Sequence, residues 1–202
     1  PLFLAMALLL PVMAQAQDST GSDPRHDEAK DLDRIVVTAS PLRQTAEELS
    51  QPVDVLSGER LDQAKSATLG ETLGKLPGVQ TSNFGAGVGR PIIRGLDGPR
   101  VGVLSGGLSS QDVSTISQDH ATAVEPFLAD QIEVLKGPAT LLYGSGAIGG
   151  VVNVVDGRIA ERQLDETFKG RAELRHDTVS RGRTAMARID ASGAEGARVL
   201  HA

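Results

Sequence analysis

Short β-prone runs separated by glycine dominate residues 42–159 and constrain the fold more than any other feature of the chain. Glycine or Gly-Pro pairs end most of these runs, and the 202-residue chain contains 23 glycines. Strands this short, with irregular connections, do not fit repeated βαβ units. We therefore expect an α+β domain built on a short mixed β-sheet with small helices. The predicted strands are 53–56, 79–82, 91–94, 101–104, 132–135 and 151–155.

Two short helices are predicted early in this domain. Residues 58–64 form the first, and Ser66-Ala67-Thr68 can cap the second, because a serine or threonine at the start of a helix accepts a hydrogen bond from a free amide of the first turn. Leu69, Leu73 and Leu76 fall at i, i+4 and i+7, which places them on one helix face. We interpret that face as core and not as a cofactor site.

An apolar run near the N-terminus predicts that the protein is exported. Residues 2–12 are almost entirely apolar and are followed by Ala14-Gln15-Ala16, a small-x-small triplet that suits cleavage after Ala16. The run is too short for a membrane-spanning helix, which needs about 20 residues. We expect residues 1–16 to be the rear part of a signal peptide; the alternative is a buried N-terminal strand or helix. Residues 17–33 are polar and acidic, and we expect residues 17–41 to form a flexible leader.

A β-prone segment lies inside this leader. Its residues are Ile35, Val36, Val37, Thr38 and Ala39, and Ser40-Pro41 ends it. A β-branched segment on a flexible tether can add to the exposed sheet edge of another protein, where main-chain hydrogen bonds supply the affinity. The alternative is that it forms the first strand of the following domain. We expect residues 35–39 to bind a partner.

The last region, residues 160–202, alternates apolar and polar side chains. In 167–176 and again in 184–191, every second residue is apolar or small and most of the others are polar or charged. Two strands of about ten residues with this alternation, joined by a polar turn at 177–182, fit a transmembrane β-hairpin. A soluble hairpin shows the same pattern, so the alternation alone leaves both possibilities open.

Five motifs in this order resemble the plug domain of TonB-dependent outer-membrane receptors. They are 33–39 (DRIVVTA), 73–79 (LGKLPGV), 92–95 (IIRG), 132–138 (IEVLKGP) and 142–153 (LYGSGAIGGVVN). The resemblance implies that residues 42–159 are the plug and that residues 160–202 begin an outer-membrane β-barrel. A plugged transporter barrel has about 22 strands, so we expect the chain to be a fragment.

The resemblance also implies partners and residue roles. Residues 33–39 would be the TonB box, on which the TonB protein of the inner-membrane energising complex pulls from the periplasm to drive import of a metal ion or metal chelate. Arg94 and Glu133 are expected in ion pairs or barrel contacts. Ser105 departs from the family, because many members carry an acidic residue there. Structural roles are expected for Arg94, Gly95, Glu133, Gly137, Pro138, Gly144, Gly149 and Gly150.

Other functional classes fit the sequence less well. Gly144, Gly146 and Gly149 match the G-x-G-x-x-G dinucleotide fingerprint, but a β-prone run follows at 151–155, where the fingerprint needs a helix. These glycines are expected to permit a tight turn and close packing against the barrel wall. The sequence has no HExxH, GxSxG or Walker motif, so we expect no enzyme and no resident cofactor. The net charge of −6 argues against a nucleic-acid partner, and a periplasmic binding or adaptor protein would not explain the amphipathic tail.

The substrate is the feature that the sequence determines least. Asp119 and His120 are adjacent in a stretch, 117–126, that resembles the zinc-importing branch of the family, and Zn²⁺ binds Asp oxygen and His nitrogen. Two ligands are not a complete site, and the alternative is that Asp119 caps a following short helix while His120 packs or faces solvent. Zinc is favoured as the transported ion, with a ferric siderophore as the second candidate. The plug loops expected to face the substrate contain Phe84, Gly87, Arg90, Ser109, Gln111 and Asp112.

Overall fold

The computed structural model of the chain describes residues 36–39, 45, 48–49, 51–110, 112–137, 143–144, 146–158, 167–192 and 199–201. The predicted signal peptide and most of the predicted leader lie outside these residues, as do Ile35, Gln111 and Pro138. What the sequence predicts for them remains a prediction.

In chain order, the strands and helices are β1 (Val53–Ser57), α1 (Gly58–Ala64), α2 (Leu69–Leu73), β2 (Val79–Thr81), β3 (Pro91–Ile93), β4 (Val101–Ser105), β5 (Leu108–Ser109), β6 (Gln131–Lys136), β7 (Gly150–Val155), β8 (Phe168–His176), β9 (Arg183–Ser192) and β10 (Val199–His201). Short 3₁₀ helices lie at Gly98–Arg100, Val113–Thr115 and Pro126–Leu128. No helix among the described residues is long and apolar enough to cross a membrane.

A five-stranded sheet forms the centre of the domain, with the strand order β1-β6-β7-β4-β5. Strands β4 and β7 run parallel, whereas the other neighbours in the sheet run antiparallel. The mixed sheet expected from the short glycine-bounded runs is confirmed. Strands β2 and β3 form a separate antiparallel pair.

Helices α1 and α2 cover one face of the central sheet. Leu69 and Leu73 are completely buried and Leu76 packs at the edge of the same core, as their spacing predicted. The Thr68 hydroxyl accepts the Glu71 amide at 3.1 Å, which satisfies one of the free amides at the start of α2. The sheet residues in this core are Leu56, Val101, Val103, Ile132, Val134, Val152 and Val154.

The opposite face of the sheet is apolar at its ends and polar in the middle. Strand side chains alternate between faces, so Glu133 and Asn153 point to this side, and both are completely buried. Apolar residues surround them in a second cluster that includes Val55, Leu104, Leu135 and Val151. Two polar side chains in such a place require hydrogen-bond partners.

Gly150 begins β7 at a position where a side chain does not fit. Its φ is +150°, and a Cβ atom there would lie 2.3 Å from the Leu135 carbonyl oxygen. A Cβ on Gly149 would lie 2.9 Å from Cβ of Leu96. Both glycines therefore permit close packing within the domain, and their packing against a barrel wall remains a prediction. A strand follows them directly, so the helix that a dinucleotide fingerprint needs is not there.

Strands β8 and β9 form an antiparallel hairpin with an inverted pattern of exposure. The apolar side chains point outward, with Leu174 87% and Ile189 45% exposed. Side chains on the charged face are largely covered: Arg188 is 10% exposed and Asp190 8%. The covered face of the hairpin is thus polar and its open face apolar. This is the reverse of the pattern in a soluble hairpin and is typical of strands that contact lipid.

Candidate functional sites

The described part of the β-prone segment, residues 36–39, packs against the polar middle of the sheet; we call it the N-terminal segment. Val37 is completely buried and Ala39 is 4% exposed, and both belong to the second apolar cluster. Val36 forms an isolated antiparallel bridge with Thr45. These four residues therefore pack on the domain and are no strand of its central sheet, so the alternative of a first strand was wrong. Their binding of a partner remains a prediction.

Glu133 holds the N-terminal segment through its main chain. The Thr38 amide and hydroxyl donate to Oε1 of Glu133 at 2.7 and 2.8 Å, and the Ala39 amide donates to Oε2 at 2.8 Å. Side-chain amides of Gln131 and Asn153 donate to the same carboxylate at 2.7 and 3.0 Å. The ion pair expected for Glu133 is not found among the described residues, because amide and hydroxyl groups satisfy its charge instead.

A signal for this arrangement was present in the sequence and was missed. Glu133 is a lone charge between apolar residues of β6, and Asn153 interrupts the apolar run of β7. A charge or amide in a buried strand requires donors or acceptors, so both positions demanded a polar cover. The segment that supplies the cover could not be identified from spacing, because Thr38 and Glu133 are 95 residues apart.

Arg90, which the sequence placed among residues facing a substrate, is buried between loops. It is 2% exposed, and its Nη1 lies 3.6 Å from Oδ1 of Asp112 and donates to the Ser114 hydroxyl. Its Nη2 donates to the Gly98 carbonyl at 3.3 Å. Burial lowers the pKa of Arg90, and the charges of Asp112 and Asp97 oppose that effect. Arg90 therefore joins three loops from inside and does not lie on their surface.

Asp112 is the acceptor that organises the same loops. It accepts the Ser110 hydroxyl at 3.0 Å and the Ala123 amide at 3.1 Å, and it also accepts the Ser114 hydroxyl. Burial favours the neutral acid, but the hydrogen bonds and the Arg90 charge outweigh it and lower the pKa of Asp112 below the ordinary 3.8. Asp112 is therefore ionised at neutral pH and fixes the loop between residues 110 and 123.

The other predicted loop residues lie at the surface. Phe84 is 64% exposed, and Gly87 and Ser109 are also exposed. Ser109 and Asp112 line one open cleft of about 410 Å³ together with Tyr143 and Ile116. The structure thus brings Ser109 and Asp112 together.

Asp119 and His120 form an exposed pair on the loop at residues 117–120. Nδ1 of His120 lies 2.9 Å from Oδ1 of Asp119, and both side chains are about half exposed. A hydrogen bond from Ser117, followed by the one with His120, lowers the pKa of Asp119. Asp119 caps no helix, because the next helical turn is capped by Glu125, so that part of the alternative was wrong, whereas His120 faces solvent as the same alternative expected. Among the described residues, no group of three or more potential ligands could hold a metal ion.

Arg94 and Gly95 form a tight turn after β3. Arg94 has a left-handed φ of +51° and Gly95 a φ of +78°, and the Arg94 amide donates to the Gly78 carbonyl at 2.9 Å. The Arg94 side chain is exposed and lies near Gly137, where an added Cβ would be 3.6 Å from Nη1 of Arg94. Its contact with a barrel remains a prediction.

Ser105 accepts a hydrogen bond from an arginine. It lies where many plug domains carry an acidic residue. The Arg158 Nη2 donates to the Ser105 hydroxyl oxygen at 3.1 Å, and the same guanidinium pairs with Asp156. A neutral serine therefore takes a place in which an acid would have formed a second ion pair with Arg158.

Two arginines of the β8–β9 hairpin contact the domain. Arg171 donates to the Phe127 carbonyl at 3.0 Å. Arg188 donates to the Asp156 carbonyl at 2.9 Å and lies 3.2 Å from Asp130. The charged face of the hairpin therefore turns toward the domain, and the apolar face turns away from it.

Comparison with known proteins assigns the family. Residues 45–151, more than half of the chain, match the family described as the TonB-dependent receptor plug domain. The chain belongs to the TonB-dependent receptors. It is 34% identical over 164 residues to a hemin receptor of Yersinia pestis, and the aligned region covers 75% of this chain and 22% of that receptor. It is 30% identical over 156 residues to the vitamin B12 transporter BtuB of Vibrio cholerae, covering 76% of this chain and 25% of the transporter.

Solved structures of receptors share this fold. The siderophore receptor PirA of Acinetobacter baumannii superposes with a TM-score of 0.55 at 22% identity, over 79% of this chain and 24% of its own. The ferric enterobactin receptor of Pseudomonas aeruginosa gives 0.53 at 20% identity, over 73% of this chain and 23% of its own. The chain thus spans about a quarter or less of the length of these relatives. The predicted fold, a plug followed by the first strands of a barrel, is confirmed.

Membership in this family also decides between the functional classes. TonB-dependent receptors are not enzymes, so the glycine-rich motif at 144–149 belongs to the plug and not to a dinucleotide site. The same match excludes a periplasmic adaptor as an explanation of the domain.

Proposed function

We propose that this protein is an energised importer of the outer membrane, with the present chain supplying its plug. The observation that carries the proposal is the orientation of the β8–β9 hairpin. Arg171 and Arg188 point toward the plug, whereas Leu174 and Ile189 are exposed on the other face. This arrangement fits a barrel wall with the plug inside and lipid outside.

Energy would reach the plug through residues 35–39. The TonB protein, driven by the proton gradient of the inner membrane, would add a strand to this segment and pull on it from the periplasm. The contacts between the hairpin and the plug are hydrogen bonds to carbonyls and a carboxylate, and water can replace bonds of this kind when the plug rearranges. A polar interface therefore suits a plug that has to move.

Val37→Pro in the full-length receptor tests the coupling role. Proline removes the amide and fixes φ near −65°, so strand pairing with TonB should fail. Uptake should be lost while substrate still binds, and Val37→Ala, which keeps the amide, should transport. Normal uptake by Val37→Pro at normal expression would reject residues 35–39 as the TonB-binding strand.

We further propose Zn²⁺ as the transported ion, with Asp119 and His120 as two of its ligands. Both side chains are exposed, adjacent and of a type that Zn²⁺ prefers. Two ligands do not complete a tetrahedral site, so the others would come from residues beyond those described.

The zinc proposal is tested by Asp119→Ala and His120→Ala in the full-length receptor. Loss of one ligand from a four-coordinate site should reduce zinc affinity and uptake by about tenfold or more. Asp177→Ala and His176→Ala provide the matched control, because these residues form another adjacent His-Asp pair in the β8–β9 turn. Unchanged zinc uptake in the Asp119 and His120 variants would reject the assignment.

A metal chelate is the second candidate, and exposed apolar residues beside the pair favour it. Ile116 is 89% and Val113 55% exposed, and an apolar chelate such as hemin could cover them. The relatives include a hemin receptor and the similar folds include siderophore receptors. Ile116→Ser should then weaken chelate binding and leave zinc binding unchanged. Transcription of the receptor gives a simple further test. A rise under zinc starvation would favour zinc, and a rise under iron starvation would favour an iron chelate.

A further inference from the structure

Glu133 and Asn153 form a buried polar pair in an otherwise apolar row of the sheet. They face each other across β6 and β7, with Val55 beside Glu133 and Leu104 beside Asn153. Both polar residues are completely inaccessible to solvent. A carboxylate buried without a cation is costly unless several donors surround it.

Most of these donors belong to the N-terminal segment. Among the residues that the structure describes, three of the five hydrogen bonds to Glu133 come from Thr38 and Ala39. Asn153 also donates to the Thr38 hydroxyl at 3.1 Å, and Gln131 donates to the Val36 carbonyl at 3.0 Å. Without the segment, Glu133 would keep, of these described donors, only the side-chain amides of Gln131 and Asn153, so its carboxylate is fully satisfied only while the segment is in place.

The amides that Glu133 holds are needed for strand pairing. Consecutive residues of a strand direct their N–H groups to opposite edges, so a partner strand along either edge of residues 36–39 needs the amide of Thr38 or of Ala39. Glu133 occupies both amides. The side chains of Val37 and Ala39, which would give specificity to the pairing, are buried at the same time.

We propose that Glu133 is the positioning residue for the TonB-binding segment: docking on Glu133 and strand pairing with TonB exclude each other, so Glu133 sets the affinity of the resting receptor for TonB. This inference rests on the proposed role of residues 35–39. Asn153 supports Glu133 by bonding to both its carboxylate and the Thr38 hydroxyl.

The first experiment measures docking alone and does not involve TonB. This chain contains no cysteine, so in a full-length receptor whose other cysteines, where present, are replaced by serine, a nitroxide at Val36→Cys, a 38% exposed position, reports on the segment. Glu133→Gln keeps the shape but replaces one acceptor oxygen by a donor. It should raise the mobile fraction of the label about tenfold, the effect of losing one hydrogen bond to a charged group.

A matched control excludes a general effect of the substitution. Glu125→Gln makes the same change at a carboxylate that also accepts a main-chain amide, that of Phe127, and it should leave the label immobile. A label at Phe84, which is exposed on another loop, should not respond to either substitution. Equal label mobility in Glu133→Gln and wild type would overturn the proposal.

The second experiment measures binding of the periplasmic domain of TonB to the unlabelled, substrate-free receptor. Glu133→Gln should bind about tenfold more tightly than wild type, because the amides are released. If Glu133→Gln makes the label more mobile but does not bind TonB more tightly, docking on Glu133 and pairing with TonB do not exclude each other, and the proposal is overturned. If Val37→Pro binds TonB as tightly as wild type does, residues 35–39 are not the TonB-binding strand. The mobility of the label at residue 36 still shows, independently, whether Glu133 holds the segment.

A second variant keeps the test valid if Glu133→Gln does not fold. Thr38→Val removes two hydrogen bonds, to Glu133 and from Asn153, without changing the core. The label at residue 36 should again become more mobile. An immobile label in this variant would count against docking through these groups.

Discussion

Arg188 on β9 and Asp130, next to the start of β6, form an ion pair that joins the hairpin to the plug. Nη1 of Arg188 lies 3.2 Å from Oδ2 of Asp130, and the same nitrogen donates to the carbonyls of Leu128 and Asp156 at 3.0 and 2.9 Å. A Cβ on Gly157 would lie 2.3 Å from the same Asp130 oxygen. Close packing around the pair thus brings three acceptors of the plug to one nitrogen of Arg188.

Arg188→Ala should therefore loosen the plug from the hairpin. The Leu128 and Asp156 carbonyls lose this donor together, and Asp130 keeps, among the described residues, only Arg171, so we expect a loss of about 2–4 kcal/mol of stability. Limited proteolysis of the full-length receptor should show faster cleavage of the plug. Arg175→Ala is the control, since Arg175 pairs with Glu173 on its own strand. Identical cleavage rates for the two variants would contradict a joining role for Arg188.

Asp112 should make the stability of the loops depend on pH in the acid range. Its pKa in the folded protein is lowered by its hydrogen bonds and by Arg90, in spite of burial. A lowered pKa contributes stability above the unfolded value of about 3.9, and that contribution is lost as pH falls through the folded pKa.

The measurement compares thermal unfolding of wild type and Asp112→Asn. Wild type should be more stable near neutral pH, and the difference in Tm should shrink as the pH is lowered from about 5 toward 3. Glu59→Gln, at an exposed position on α1, should show little of this dependence. A difference that stays constant with pH would contradict the role given to the Asp112 charge.

Gly150→Ala should destabilise the plug. The new Cβ would collide with the Leu135 carbonyl at 2.3 Å, and φ is +150°, so backbone has to shift in the centre of the sheet. We expect a loss of about 2–4 kcal/mol, measured by chemical denaturation. Gly102→Ala is the matched control, because its nearest neighbour is a Val151 methyl group at 3.4 Å. Similar midpoints for the two variants would refute the steric argument.

The isolated plug should fold, and the N-terminal segment should stabilise it. A fragment of residues 42–159 should show a cooperative urea transition by circular dichroism. A longer fragment of residues 33–159 should be more stable by about 2–5 kcal/mol, because it restores the donors of Glu133 and buries Val37. A linear titration would mean that the plug needs the barrel to fold, and equal midpoints would mean that the segment contributes no stability.

Local patterns predicted much of this structure. A cap within residues 66–68, which the structure places at Thr68, and the stripe of Leu69 and Leu73 appeared as expected, because these interactions join residues three or four apart. The alternation in 167–176 and 184–191 predicted the strands of the hairpin, since side chains of a strand alternate with a period of two. The exposure of Leu174 then decided between a soluble and a lipid-facing strand.

The sequence by itself determined the class of fold, the positions of most strands and, through its motifs, the family. Only the tertiary structure showed that Arg90 is buried between loops and that Glu133 holds the amides of Thr38 and Ala39. Such contacts join segments far apart in the chain, and no periodicity records which distant amide will approach a buried carboxylate. The need for a partner is local, since any buried charge has it, but the choice of partner is made when the sheet and its covering segment come together.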